Sequence, residues 1–220
     1  MTNVQSEFWS KVAARYDEVV DLQIGPSTRS MVRDRLLLES RLGKLVEFGC
    51  GTGFYTETLV NKASEVVATD LSPGMLAVAK QRVMARNVTF QLEDCQKTSF
   101  PSGTFDAAFM SLVIHFTEPA KTLAEMHRIL KPGGTLIISN GDPKALSAGN
   151  RFRWLARGIF YGITRHRVKP PKGFAKNIVA EKELCDLLLK TGFKVVSVET
   201  FRDESSSANM PVEYIKAVKN

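Results

Sequence analysis

Short apolar runs alternate with segments of helical periodicity over most of the chain from residue 44 onward. The predicted strands are 45–48, 66–70, 88–94, 105–114 and 135–139. The predicted helices that separate them are about 54–63, 73–85 and 119–130. Strand–helix alternation of this kind predicts right-handed crossovers and a parallel sheet that carries helices on both faces.

The two ends of the chain extend this pattern. Helices are predicted at 5–21 and 27–41, so residues 1–43 form an N-terminal helical segment, with Ser27 as a helix cap. A helix at 181–190 is followed by strands at 194–200 and 212–218. The connection between these strands is too short for a helical crossover, so we expect them to be antiparallel.

Residues 141–178 interrupt the alternation and carry the excess positive charge of the chain. The net charge is +7, but residues 141–180 hold nine Lys or Arg and one acid, a local charge of +8. Phe152, Leu155, Ile159 and Ile163 follow one another at helical spacing. We therefore predict a helical lid over an acceptor site within 144–176, or contact of that segment with an anionic membrane surface.

Length and composition narrow the class of protein. A chain of 220 residues with 44% hydrophobic and 24% charged residues is expected to fold as a single domain over 1–220. Three cysteines without C-x-x-C spacing indicate reduced thiols, and the three histidines lack metal-ligand spacing, so we expect no metal. Neither a transmembrane segment nor a signal peptide is visible, so we expect a cytoplasmic protein.

Three successive strands end in groups suited to one ligand. The first runs into the glycine-rich turn 49–53, and the next two end at Asp70 and Asp94. Glycines allow close approach of a ligand to the backbone, while an acid at the edge of the sheet can accept from ribose hydroxyls. Neither the G-x-G-x-x-G/A pattern of dinucleotide sites nor a phosphate-binding P-loop is present.

The motifs resemble those of class I S-adenosylmethionine (SAM)-dependent methyltransferases. Residues 46–53 are similar to motif I of that family, 70–76 to the segment that follows it, and 93–95 to motif II. The turn at 128–134 also resembles the family pattern, and the N-terminal helix resembles that of ubiquinone and menaquinone C-methyltransferases. The resemblance implies a Rossmann-like, seven-stranded, mostly parallel sheet whose last strand is antiparallel.

The resemblance also implies which residues bind SAM. Asp70 would hold the ribose hydroxyls, Asp94 would accept from the adenine amino group, and Tyr16 would close over the carboxylate. The implied contacts are completed by Gly49, Cys50, Gly51, Thr52, Gly53, Leu71, Met75, Cys95 and Ser111.

The acceptor is less well specified by the sequence. His115, directly after the fourth strand, is the candidate general base, because imidazole exchanges protons near neutral pH. The Asn/Asp-Pro-Pro-aromatic turn of amino-methyltransferases is absent, since that position reads Ser111-Leu112-Val113-Ile114. We therefore expect a small-molecule acceptor that is apolar or anionic. An RNA or protein acceptor held by the basic segment is the alternative.

Overall fold

The computed structural model describes residues 3–161 and 177–220, and within them seven strands form one sheet. The strands are β1 (Lys44–Phe48), β2 (Glu65–Asp70), β3 (Val88–Leu92), β4 (Phe105–Ser111), β5 (Leu130–Gly141), β6 (Phe193–Phe201) and β7 (Val212–Lys219). Their order is β3-β2-β1-β4-β5-β7-β6. Strands β1 to β5 pair in parallel, and β7 is antiparallel to both β5 and β6. The predicted Rossmann-like sheet with an antiparallel last strand is confirmed.

Helices cover both faces of this sheet. They are α1 (Asn3–Val12), α2 (Tyr16–Ile24), α3 (Pro26–Leu37), α4 (Thr56–Leu59), α5 (Pro73–Arg82), α6 (Pro119–Ile129), α7 (Ala148–Tyr161) and α8 (Glu181–Lys190). Alternate residues of the strands point to opposite faces and feed two apolar cores. Phe109 belongs to the core that includes Leu36 and Leu59, whereas Met110 belongs to the core that includes Leu123 and Leu188.

The N-terminal segment differs in detail from the expectation. The helix predicted over 5–21 is divided by a 3-10 turn at Ala13–Arg15, and α2 begins at Tyr16. The helix predicted at 27–41 begins one residue earlier, with Pro26 in its first turn, and ends at Leu37. Ser27 is not its cap, because the backbone N–H of Ser27 donates instead to Oδ2 of Asp203.

The edge strand β3 and the central strand β4 are shorter than predicted, and both differences concern the candidate site. Strand β3 ends at Leu92, and beyond it Oδ1 of Asp94 accepts from the backbone N–H of Gln96 in a local turn. Strand β4 ends at Ser111, because Leu112 adopts a left-handed conformation with φ of 56° that no strand can continue. The helix predicted over 54–63 is likewise reduced to α4, and β5 extends beyond the predicted 135–139.

The interruption at 141–178 contains a helix, as predicted. Helix α7 packs against α2, and Leu146 just before it is buried. The predicted apolar row is not turned inward, because Phe152 is 72% exposed and Leu155 is 48% exposed. The basic positions between 162 and 176 lie outside the described residues. Among those that are described, no helix is long and apolar enough to cross a membrane.

Candidate functional site

A cleft of about 560 Å³, part of it open to solvent, lies at the carboxyl edge of the parallel strands. Such a crevice is the usual ligand position in open α/β sheets. Its lining comes from α1, α2, the end of β2, the first turn of α5, and the turns after β1, β2, β3 and β4. The lining residues are Trp9, Tyr16, Gly49, Gly51, Thr69, Asp70, Leu71, Met75, Glu93, Cys95, Leu112, Val113 and Phe116.

The turn after β1 brings bare backbone to the floor of the cleft. Gly49 and Gly51 have φ of +63° and +54°, in the left-handed region that glycine adopts without strain. A Cβ at Gly49 would lie 2.3 Å from Cγ2 of Val113, and one at Gly51 would lie 3.2 Å from Cε1 of Tyr16. Any side chain at these two positions would crowd Val113 or Tyr16. Glycine therefore leaves the backbone uncovered at the floor of the cleft.

Asp70 ends β2 beside this turn and is held in place by backbone donors. Its Oδ2 accepts from the N–H of Gly51 at 3.0 Å, and its Oδ1 accepts from the N–H of Ser72 at 2.8 Å. Burial raises the pKa of Asp70 to about 6, although these donors act in the opposite direction. A carboxylate offers about four lone-pair positions, so acceptor capacity remains for a hydroxyl donor of a ligand.

Aromatic rings from the N-terminal helices close one side of the cleft. Trp9 makes edge-to-face contacts with Tyr16 and Phe116, at centroid distances of 5.7 and 5.0 Å. Burial and the nearby Asp70 raise the pKa of Tyr16 above its ordinary value, so its hydroxyl is neutral. Rings arranged in this way exclude water and present π faces that attract a cation.

The turn after β4 forms the opposite, apolar side. Leu112, Val113 and Phe116 line the cleft there. The left-handed Leu112 is the one non-glycine residue with positive φ in the part of the chain that the structure describes. Its N–H donates to the carbonyl of Ser139 at 2.8 Å, which holds this conformation in place. Backbone strain of this kind concentrates at functional sites.

Seven of the predicted cofactor-binding residues line the cleft together. They are Tyr16, Gly49, Gly51, Asp70, Leu71, Met75 and Cys95. Cys50, Thr52, Gly53, Asp94 and Ser111 are not among the lining residues, although the first three belong to the same turn. The contacts of Thr52 and Gly53 explain their absence. Oγ1 of Thr52 donates to Oδ1 of Asp17 at 2.6 Å, and Gly53 packs closely on Ala79 of α5.

His115 presents a buried polar atom without a partner, whereas Ser111 faces another hydroxyl group. Nδ1 of His115 is buried and has no hydrogen-bond partner among the described residues. Oγ of Ser111 is buried next to the hydroxyl of Tyr55. Burial lowers the pKa of His115 to about 4, so the imidazole is neutral at pH 7. The ring of His115 packs against that of Phe116 at a centroid distance of 4.0 Å and an interplanar angle of 52°, but His115 does not itself line the cleft. A base role for His115 therefore stays a prediction.

A charged cluster under the glycine turn fixes the N-terminal helices to the sheet. The carboxylate of Asp17 accepts from Arg29 at 3.1 Å and from Arg82 at 2.6 Å, in addition to Thr52. Arg29 is only 4% exposed, and its guanidinium lies 3.8 Å from the ring centre of Phe54. The cluster joins α2, α3, α5 and the glycine turn, and it thereby positions Tyr16 at the cleft.

Six lining residues were not predicted from the sequence. They are Trp9, Thr69, Glu93, Leu112, Val113 and Phe116. Trp9 and Glu93 lie within segments that carried the family resemblance, so a closer comparison of those motifs could have found them. Leu112 and Val113 carried no chemical signal, because an apolar pair after a strand is typical of any buried turn.

Comparisons with known proteins agree with this geometry. A model of the methyltransferase domain family matches residues 46–138. The demethylmenaquinone methyltransferase of Thermus thermophilus is 32% identical over 169 residues, which cover 74% of this chain and 73% of that enzyme. The malonyl-[acyl-carrier protein] O-methyltransferase of Serratia marcescens is 35% identical over 135 residues, or 60% of this chain and 50% of that enzyme. The match to this second relative thus spans only half of its length.

A solved structure supports the fold independently. The SAM-dependent methyltransferase from Mesorhizobium loti superimposes with a TM-score of 0.64 at 23% identity, covering 89% of this chain and 97% of that one. At this level of identity the likeness concerns the fold alone, because one fold hosts many reactions.

Proposed function

The chain belongs to the class I SAM-dependent methyltransferases, and we propose that it transfers the methyl group of SAM to a small, apolar acceptor. The proposal rests on one observation, which is that the cleft has a polar part and an apolar part. Asp70 and the two glycines form a polar floor, and Trp9, Leu112, Val113 and Phe116 form an apolar wall. A polar floor of this kind suits a nucleoside, and the apolar wall suits an acceptor that has little charge.

The residues present fit SAM. Asp70 would accept from the ribose hydroxyls, Leu71 and Met75 would pack on the adenine, and the backbone at Gly49 and Gly51 would meet the methionine portion. The carboxylates of Asp70 and Glu93 and the aromatic rings make the cleft favourable to a cationic ligand. When bound, SAM supplies an electrophilic methyl group together with its own leaving group, so the protein contributes orientation and exclusion of water.

The lining favours an apolar acceptor over an anionic one. No Lys or Arg belongs to the described lining, whereas Asp70 and Glu93 both do. An anionic acceptor in this cleft would be repelled by the acids and would lack a compensating cation, which is a costly arrangement for a desolvated charge. His115, which directly precedes the cleft-lining Phe116 and is neutral at pH 7, is the base that we propose for an acceptor that must lose a proton.

The names of the relatives suggest the first acceptors to test. Calorimetry on the full chain should show binding of SAM and S-adenosylhomocysteine (SAH). Transfer of radiolabelled methyl should then be measured to a short-tailed demethylmenaquinone and to a malonyl thioester. We expect transfer to the quinone and none to the thioester. Transfer to the thioester alone would overturn the apolar acceptor, and a folded chain that binds neither SAM nor SAH would overturn the methyltransferase function.

A further inference from the structure

Helix α7 is attached to the body of the protein by its polar side. Nη1 of Arg157 donates to Oδ1 of Asn209 at 3.0 Å, and Nη2 donates to the carbonyls of Ala208 and Gln23 at 3.1 and 3.4 Å. Trp154, on the same side of the helix, packs on the core beneath. A surface helix normally buries its apolar stripe and exposes its polar one, whereas α7, over its described side chains, turns the charged Arg157 inward beside Trp154.

The opposite side of α7 exposes an apolar row to solvent. Ala148, Phe152, Leu155 and Ala156 are all exposed, at the spacings of three and four that place residues on one helical face. Phe152 is 72% and Leu155 is 48% exposed, although both are large apolar side chains. A continuous exposed row of this kind marks an interaction surface rather than a scatter of single apolar residues.

Cations border this row. Arg151 and Arg153 are exposed at its edges, and neither pairs with a carboxylate within residues 3–161 and 177–220. Arg153 donates only to the neutral side chains of Asn150 and Ser207 there, so its charge is not neutralised. Asp142 is the one acid between residues 141 and 180, a stretch with a charge of +8, whereas the rest of the chain sums to −1. The surface therefore combines apolar side chains with guanidinium groups that no carboxylate of the described residues neutralises, in a molecule that is otherwise nearly neutral.

We propose that the exposed face of α7, formed by Ala148, Arg151, Phe152, Leu155 and Ala156, binds the surface of a membrane that contains anionic lipid. An interfacial helix places its apolar row among the acyl chains and its cations among the headgroups, which is the arrangement found here. A lipid surface is favoured over an acidic protein because one row of side chains offers far less than the ~800 Å² per partner of a specific protein complex.

The position of α7 gives this contact a consequence for the proposed function. Helix α7 packs on α2, whose first residue, Tyr16, lines the cleft. If the acceptor is apolar, as proposed above, membrane contact keeps the protein close to the phase in which such acceptors dissolve. The binding itself requires no acceptor, so it can be measured separately from methyl transfer.

Sedimentation of the full chain with vesicles tests the proposal. We expect binding to vesicles of phosphatidylcholine with 30% phosphatidylglycerol, roughly tenfold weaker binding to pure phosphatidylcholine, and loss of binding at high salt. The double variant Phe152→Ser and Leu155→Ser should weaken binding about tenfold or more. The double variant Arg151→Glu and Arg153→Glu should weaken it by a similar factor.

Matched variants elsewhere on the surface test whether vesicle binding depends on this face of α7 or on general electrostatic attraction to the vesicles. Met84 and Leu189 are exposed apolar residues away from α7, and Arg41 and Lys190 are exposed cations that give the same change of charge. Their Ser and Glu variants should bind vesicles as the unchanged protein does. All variants should still bind SAH, which shows that they are folded.

Three results would overturn the membrane proposal. One is the absence of vesicle binding by the unchanged chain. The second is an equal loss of binding in the matched variants, which would indicate general electrostatic attraction. The third is binding to polyglutamate or poly(U) but not to vesicles, which would assign the face to an acidic protein or to RNA.

Discussion

Asp70 is a carboxyl group whose protonation competes with the ligand contact that we propose for it. Burial raises its pKa to about 6, and its two oxygens already accept from Gly51 and Ser72. A ribose hydroxyl can donate to the carboxylate, whereas the protonated acid has lost part of that acceptor capacity. SAH affinity should therefore be constant from pH 8 to 7 and fall up to tenfold per pH unit below about 6.

Calorimetric titration with SAH between pH 8 and 5 checks this prediction. Asp70→Asn keeps the shape of the side chain but removes the titrating group, so the variant should bind more weakly and show a flat profile over the same range. A weakening of roughly tenfold to a hundredfold corresponds to the loss of one charge-assisted hydrogen bond. A flat profile for the unchanged, folded protein would contradict the assignment of Asp70 to the ribose.

His115 should affect turnover without affecting cofactor binding. Its Nδ1 is buried without a partner and its pKa is lowered to about 4, so the neutral imidazole persists down to that pH. If it serves as the base, His115→Gln should lower kcat by roughly 10²- to 10⁴-fold and leave SAH affinity within about twofold. Single-turnover assays and calorimetry measure the two quantities. An unchanged kcat would assign a purely structural role to the imidazole.

At the scale of elements, the strands of the sheet were predictable because each is an apolar run or an alternation of apolar and polar residues, bounded by turn residues. The glycine turn and Asp70 were also predictable, since they fall where β1 and β2 end. The end of β4 was not, because Val113 and Ile114 continue the apolar run while the backbone has already left the strand at Leu112, with φ of 56°. That conformation depends on a tertiary hydrogen bond to Ser139, which no local pattern records.

Helix α7 is a second element whose tertiary contacts could not be predicted from the sequence. The spacing of Phe152 and Leu155 predicted a helix and an apolar face, and the helix is present. The direction of that face could not be derived, because Arg157 forms hydrogen bonds to Asn209 and Gln23 that draw the polar side inward. The basic part of the predicted lid at 162–176 lies outside the described residues, so closure over the acceptor stays a prediction.

The ion cluster at Asp17 should determine whether the N-terminal helices remain attached. Removing the carboxylate in Asp17→Ala leaves the buried Arg29 with Asp21 as its remaining carboxylate partner, and it leaves Arg82 with hydrogen bonds to the neutral Thr52 in place of an ion pair. Loss of one member of a buried ionic group costs about 3 kcal/mol, and Asp17 is partly exposed, so we expect about 2 kcal/mol in urea denaturation. SAH binding should also weaken, because Tyr16 belongs to the same helix as Asp17 and would be displaced from the cleft together with it.

The exposed pair of Arg33 and Asp34 provides the control for this variant. Both side chains are largely exposed, so Asp34→Ala should cost less than about 0.5 kcal/mol and leave SAH affinity unchanged. Limited proteolysis should cleave the N-terminal helices of Asp17→Ala earlier than those of Asp34→Ala. Equal stability and equal cleavage in the two variants would show that the helices are held by apolar contacts instead.

For the whole molecule, the buried carboxyl groups predict that stability rises as the pH falls from 8 to about 5.5. Burial raises the pKa of Glu47 to about 8 and that of Glu213 to about 7, and Asp70 titrates near 6. In this window the folded state binds protons that the unfolded chain, with ordinary carboxyl pKa values near 4, does not bind. Stability is therefore gained on acidification and lost as the pH rises through these folded-state values.

Protonation of His115 in the unfolded chain lowers the stability on acidification, but only at the lower end of the range from pH 8 to 5.5. Its folded pKa of about 4 lies below the unfolded value near 6.5, so it begins to oppose the carboxyl groups below pH 6.5. Urea denaturation should give a free energy of unfolding about 2 kcal/mol larger at pH 6 than at pH 8. Glu47→Gln should remove a large part of this dependence, whereas Glu57→Gln, on the exposed side of α4, should preserve it. A stability that is constant or higher at pH 8 would mean that Glu47 and Glu213 are ionised and stabilised by contacts that the fold does not show.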